Sequence, residues 1–164
     1  MIKMINIVFV CYGNTCRSPM AEYIFKYLVD QNNLNEYFNI SSAGTSAFDI
    51  RPMSKYTKQQ LDLHNIPYNK HLSTLLTIDI YNNNDYIIAM DQYNIEDIMN
   101  LSIKNNNKIS KLLDYVDNNF IIQNHLFRKN VRDPYGTNDY SITYKHIYQG
   151  CKDLLQFLRK KYNI

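Results

Sequence analysis

The 164-residue chain has no tryptophan, only three cysteines, four glycines and four prolines. Each scarcity narrows what it can be. An odd, small number of cysteines does not make a disulfide framework, and unpaired thiols are expected in a reducing compartment, so a cytoplasmic location is expected. No stretch of about 18 apolar residues occurs, which excludes a spanning helix of ordinary length. The N-terminus runs almost directly into an apolar segment and lacks a secretory pattern, so no leader is expected. A formal net charge of +3 with no basic stripe gives no footprint for nucleic acid. The tight basic cluster Arg159-Lys160-Lys161 sits where a helix would end, and cations are favoured there for structural reasons. No internal repeat or linker is visible, and 45% hydrophobic residues suffice for the core of one domain spanning 1–164.

What is present is a run of chemistry at the start of the chain. Ile5–Val10 is a nearly continuous apolar run, which suits a strand covered on both faces. Cys11-Tyr12-Gly13-Asn14-Thr15-Cys16-Arg17-Ser18-Pro19 follows, and a helical pattern begins at Pro19 and runs to about Asp30, with Met20, Tyr23, Ile24, Tyr27 and Leu28 at helical spacing. A thiol and an arginine thus lie in a short loop between strand and helix. A helix N-terminus offers unpaired N–H groups and a partial positive charge to an anion. Pro19 fits the first turn, Gly13 relaxes the backbone, and Asn14 tolerates positive φ, so the loop can curl with its N–H groups inward. Arg17 can grip two oxygens of an oxyanion at once. The same positive field, with a hydroxyl from Ser18, is expected to favour the thiolate of Cys11, the form that attacks phosphorus.

The remaining elements alternate. Strands are expected at Tyr37–Ser42, Asp85–Met90 and Ile109–Leu113. Helices are expected from Pro52 to about His64 with room for an interruption, from Tyr93 to about Leu101, and from Asp139 to about Lys161 with Ile147, Leu154, Leu155 and Leu158 inward. Residues 43–48 and the runs Asn82-Asn83-Asn84 and Asn105-Asn106-Asn107 are expected to be loops. This order predicts an α/β fold: a three-layer αβα sandwich on a central four-stranded parallel sheet, with the phosphate loop between the first strand and the first helix. Ligands of such sheets bind beyond the carboxyl ends of the strands, where Cys11 and Asp91 fall. An acid is needed to protonate a leaving oxygen, and Asp133 in Arg132-Asp133-Pro134-Tyr135-Gly136 is the candidate. Pro134 biases Asp133 toward extended backbone and Tyr135 offers an aromatic wall, although the same residues also suit a plain turn. Cys11 and Cys16 alone make a poor zinc site, because two further ligands are missing nearby. No metal and no cofactor is expected.

These segments carry a resemblance. Val10 to Glu22 resembles the phosphate loop of the low-molecular-weight protein tyrosine phosphatases. Ser42-Ala43-Gly44-Thr45, Ala89-Met90-Asp91-Gln92-Tyr93-Asn94 and Asp133-Pro134-Tyr135 resemble that family's later motifs in the same order. The resemblance implies Cys11 as nucleophile, Arg17 as phosphate clamp and Asp133 as general acid and base. It implies that Tyr12, Gly13, Asn14, Thr15, Cys16, Arg17 and Ser18 hold phosphate, and that Asn14, Ser18, Ser42 and His71 form a supporting network. Tyr12, Phe48 and Tyr135 would wall the pocket. Cys16 would trap oxidised Cys11 as a reversible disulfide. The implied partners are phosphotyrosine proteins and a cognate kinase, without nucleic acid or membrane.

Departures from the family pattern sit at Tyr12, Phe48, Gly136 and Thr15. Many tyrosine phosphatases of this type carry isoleucine at the position of Thr15, whereas the protein-arginine phosphatase branch resembles Asn-Thr-Cys-Arg there. Met90–Asn94 resembles the tyrosine-phosphatase form, which favours phosphotyrosine and leaves phosphoarginine as the alternative. A thioredoxin-coupled arsenate reductase shares this fold and loop, but it resembles a relay with two more cysteines mid-chain, and none lies between Cys16 and Cys151. Cys151, in the expected last helix, reads as a core residue. A module that binds phosphate without turnover fits poorly with Cys11, Arg17 and Asp133 all intact.

Overall fold

A computed structural model describes residues 3–101 and 106–164. The first strand, β1 (Ile5–Cys11), is almost wholly buried, as its unbroken apolar composition demands. It pairs in parallel with β2 (Phe38–Gly44) on one side, and with β3 (Tyr86–Ala89) on the other; β3 pairs in parallel with β4 (Ile109–Lys111). The four-stranded order is β2-β1-β3-β4. Because strand side chains alternate, β1 feeds two cores. Ile5, Ile7, Phe9 and Cys11 join the larger core, while Val8 and Val10 join the smaller one on the other face.

The larger core is built by α1 (Arg17–Gln31) and α7 (Tyr140–Tyr162), and the smaller by α3 (Ile78–Asn83) and α4 (Gln92–Met99). Helices thus flank both faces of a wholly parallel sheet, which is the expected three-layer arrangement. Helix α1 is buried well beyond one stripe, with Met20, Ala21, Ile24, Phe25 and Val29 all closed off. Helix α2 (Lys55–Leu63) lies against α1 and α7, and two short helices, α5 (Asn118–Gln123) and α6 (Pro134–Thr137), lead toward α7.

Several expected boundaries move, each for a local reason. Helix α1 starts two residues early, at Arg17, because Pro19 needs only a place in the first turn. Strand β2 runs on through Ala43 and Gly44, so the expected loop at 43–48 begins later. Pro52 belongs to an isolated antiparallel bridge with Leu72, and the second helix waits for the Ser54 cap. Asn82 and Asn83, expected in a loop, close helix α3; α5 is also unanticipated. Both are six-residue helices capped by the side chains of Thr77 and Asp117. Strand β4 ends at Lys111 because Leu112–Tyr115 turn into a 3-10 helix. Asn105 lies outside the described residues.

One close packing point ties α7 to that turn. A Cβ added at Gly150 would sit 2.5 Å from Cγ of the fully buried Leu112. Gly150→Ala gains helix propensity of about 1 kcal/mol, yet overpacking costs about 1–3 kcal/mol. A net destabilisation is expected, read as a Tm lowered by about 2–4 °C per kcal/mol in thermal unfolding.

Candidate active site

Cys11 is the last residue of β1, paired in register with Gly44 of β2, so its Cα is fixed by the sheet. Residues 12–16 then turn the chain into α1, whose first residue is Arg17. The turn is made at Asn14, in the left-handed region at φ 53°, and not at Gly13, whose φ is not positive. The N-cap of α1, Cys16, makes no side-chain capping bond, so the helix presents its first N–H groups to whatever occupies the loop.

Asn14 holds this shape from beneath. Its side chain is completely buried, and its amide uses every polar atom. Nδ2 donates to Ser18 Oγ and to Ser42 Oγ, each at 2.9 Å, and Oδ1 accepts from the Thr74 N–H at 2.8 Å. The Asn14 carbonyl lies 2.9 Å from His71 Nε2. The Ser42 hydroxyl in turn donates to the Glu22 carboxylate, which also accepts from Lys26 at 2.6 Å. Two groups converge on the Cys11 sulfur: the Ser18 hydroxyl at 3.0 Å and the Asn14 N–H at 3.3 Å. Ser18 Oγ, which accepts from the Asn14 amide, also lies 3.3 Å from the Ala43 carbonyl, so the serine hydroxyl is held between that carbonyl and the sulfur.

Arg17 is 3% exposed, and carboxylates from two distant segments meet it. Nη1 donates to Asp91 Oδ2 at 2.5 Å and to the Val131 carbonyl at 3.0 Å, and Nη2 donates to Asp133 Oδ2 at 3.3 Å. Burial opposes the Arg17 charge, but Cys11, Asp91 and Asp133 outweigh it and its pKa rises above the usual arginine value. Asp91 uses its other oxygen to cap α4 through the Asn94 N–H at 2.9 Å. Asp133 likewise caps α6 through the Tyr135 N–H at 3.0 Å, so the Asp-Pro-Tyr-Gly segment is a helix start rather than a bare turn. Val131 donates to the Met90 carbonyl just after β3, which anchors the Asp133 segment beside Arg17.

Above the loop opens a cavity of about 1060 Å³. Cys11, Tyr12, Gly13, Thr15, Cys16, Arg17 and Asp133 line it, with Phe48 and Tyr135 at its mouth, 76% and 87% exposed. Asn14, Ser18, Ser42 and His71 do not line it; they lie behind the loop and shape it. Cys16 stands in the wall next to Cys11, but burial pushes its thiol up to about 12. Cys151 packs in the core, 3.6 Å from the Ala21 carbonyl. Among the described residues no group of three or more His, Cys, Asp or Glu is placed to hold a metal ion.

Three contributors escaped the sequence reading. Asp91 falls at a strand end and in a motif of the resemblance, but no local spacing signals its pairing with an arginine 74 positions away. Glu22 and Gly44 lie within motifs of the resemblance, which assigns neither of them a role. A Cβ at Gly44 would come within 2.6 Å of the Tyr12 carbonyl and 2.9 Å of the Asn14 nitrogen, so β2 can pass beside the loop only as glycine.

A doubly flanked parallel sheet with a thiol-bearing anion loop at the end of its first strand defines an α/β phosphatase of the cysteine-loop type. Comparison with known proteins makes this specific. The sequence model described as low molecular weight phosphotyrosine protein phosphatase matches residues 6–163. The low molecular weight protein-tyrosine-phosphatase PtpA of Staphylococcus haemolyticus is 34% identical over 162 residues, covering 98% of each chain. The crystal structure of YfkJ from Bacillus subtilis superposes with a TM-score of 0.89 at 34% identity, over 97% of both chains. The YwlE arginine phosphatase, also of Bacillus subtilis, superposes at 0.80 with 29% identity over 95% of this chain and 97% of that one. The chain belongs to the low-molecular-weight phosphotyrosine protein phosphatase family.

Two expectations follow from the geometry. Gly44→Ala pushes two backbone segments of the loop apart, and misplacement of this order costs about 100-fold; kcat/KM for an aryl phosphate should fall on that scale while far-UV circular dichroism is retained. A thiol is neutral below its pKa, so at pH 7 Cys16 is protonated, and Cys151 is sealed in the core. Brief alkylation at pH 7 followed by mass spectrometry should leave both unmodified in the native protein, with Cys16 labelled only on unfolding or as pH approaches 12.

Proposed function

We propose that the protein is a protein tyrosine phosphatase that works through a cysteinyl-phosphate intermediate. The observation that carries this reading is the convergence of the Ser18 hydroxyl and the Asn14 N–H on the Cys11 sulfur, at the floor of a cavity that Arg17 and Asp133 also line. Phosphate oxygens take the loop N–H groups and the guanidinium of Arg17, which turns from Asp133 to the substrate while Asp91 keeps its position. The Cys11 thiolate attacks phosphorus in line; the bond to the aryl oxygen breaks, and Asp133 supplies the proton that oxygen needs. In the second half-reaction Asp133 takes a proton from water, which attacks phosphorus, breaks the P–S bond and releases phosphate and thiolate.

In this reading Tyr12, Phe48 and Tyr135 hold the aromatic ring of the substrate, and Asn14, Ser18, Ser42 and His71 keep the loop shaped. Cys16, in the same cavity wall, protects oxidised Cys11 as a reversible disulfide. The match of one family over residues 6–163 supports a single domain, and the substrates are phosphoproteins of the cytoplasm, opposed by a kinase. No described helix is long and apolar enough to cross a membrane.

One observation supports a second reading. Thr15 lines the cavity between Tyr12 and Cys16, and a structural neighbour is named an arginine phosphatase. A threonine hydroxyl there can meet a phosphoguanidinium group, where isoleucine cannot.

The test is a set of turnover measurements. Cys11→Ser should lose about 10⁴-fold or more in kcat. Asp133→Ala should lose about 10²–10⁴-fold, most severely with poor leaving groups. Phosphotyrosine peptides should outpace phosphoarginine peptides for the wild type. Dominant phosphoarginine turnover that falls with Thr15→Ile would establish the second reading instead.

A further inference from the structure

The cavity is larger than one phosphorylated side chain requires, since about 300–1,000 Å³ holds a whole small ligand. Two chain segments flank the loop: a first with Asp133, Tyr135, Asn138 and Tyr140, and a second with Asp49, Arg51, Ser54, Lys55 and Tyr56; they meet where the Tyr56 and Tyr140 rings lie 5.0 Å apart.

The second flank carries two cations on a fixed backbone. The Arg51 N–H donates to Ser73 Oγ at 2.8 Å, and its carbonyl accepts from the Ser73 N–H at 2.8 Å. Pro52 is bridged to Leu72. Lys55 is the first residue of α2, and its Nζ lies 4.9 Å from the centre of the Tyr56 ring. The start of that helix is tied to the phosphate loop, because the Ser54 N–H donates to the Thr15 carbonyl at 2.8 Å. The helix N-terminus adds its partial positive charge to the same flank. The one acid here, Asp49, pairs with Arg51 at 3.2 Å between side chains that are 79% and 68% exposed. A pair so exposed is weak and open to exchange with an incoming carboxylate.

We infer that Arg51 and Lys55 form a subsite for an acidic side chain adjacent to the phosphotyrosine, so that the preferred substrates are acidic phosphopeptides. The incoming carboxylate replaces Asp49 on Arg51 and sits beside the start of α2. This rests on the reading of the chain as a phosphotyrosine phosphatase.

The experiment compares phosphotyrosine peptides that differ only in the residues flanking the phosphotyrosine: Glu, Gln or Lys. For the wild type, kcat/KM should favour Glu over Lys roughly tenfold, through KM, and the preference should shrink as salt is raised. R51E/K55E should bring that ratio to one or below, and R51Q and K55Q singly should each lower it if the double variant does not fold. A wild-type ratio near one, or a ratio unmoved by these substitutions, overturns the inference. Turnover of a small aryl phosphate by the same wild-type preparation separates the two claims. If it is absent, the phosphatase reading itself fails; if it is present with indifference to flanking charge, only the subsite is wrong.

Discussion

The buried amide of Asn14 is the interaction on which the rest of the site depends. Its backbone adopts the left-handed conformation that turns the chain from β1 toward α1. Its side chain reaches two serines and the Thr74 N–H, and its carbonyl meets His71. A residue with one polar atom fewer would leave a buried group unpaired, at a cost of about 1–3 kcal/mol. Aspartate has the same length but cannot donate to Ser18 and Ser42, and it would bring a buried charge close to the sulfur. The loop is therefore held by satisfied hydrogen bonds rather than by a disulfide, and the Asn14 N–H is aimed at the Cys11 sulfur.

Arg17 is organised by the opposite logic. Asp91 holds one edge of the guanidinium in a short, buried contact, whereas Asp133 holds the other at 3.3 Å from a half-exposed position. The unequal grip separates two duties. One carboxylate, itself fixed as the cap of α4, sets where the arginine stands. The other is available to exchange partners when an anion arrives.

The sequence made much of this legible, for identifiable reasons. The apolar run from Ile5 to Val10 and the long periodic last helix announce themselves because burial on both faces, or on one stripe, leaves few alternatives. The spacing from Cys11 to Pro19 is legible because sulfur, arginine and helix start have to be neighbours in the chain to converge on one ligand. Helices α3 and α5 are not: six residues give too little periodicity, and asparagines at 82 and 83 resemble turn residues although they end a capped helix. Asp91, Glu22 and Gly44 matter through contacts with residues distant in sequence, and such contacts leave no local pattern. Gly13 offered the more obvious conformational freedom, yet the left-handed turn fell to Asn14, whose side chain had work to do below the loop while glycine had none.

The groups around Cys11 arrive from the ends of three strands and from two long connections: residues 14–18, 42–44, 71–74, 91 and 131–133. The stretch 11–18 carries the thiol, Asn14, Arg17 and Ser18, but the groups that fix that stretch and its arginine come from distant segments. Loss of either neighbour of β1 removes part of the constellation before the core as a whole is breached. A nascent or partly melted chain of this kind carries its reactive sulfur but not the chemistry, so competence is acquired late in folding and surrendered early in unfolding. Loss of turnover on heating or in denaturant is therefore an early reporter of sheet integrity, ahead of signals that follow the bulk helices.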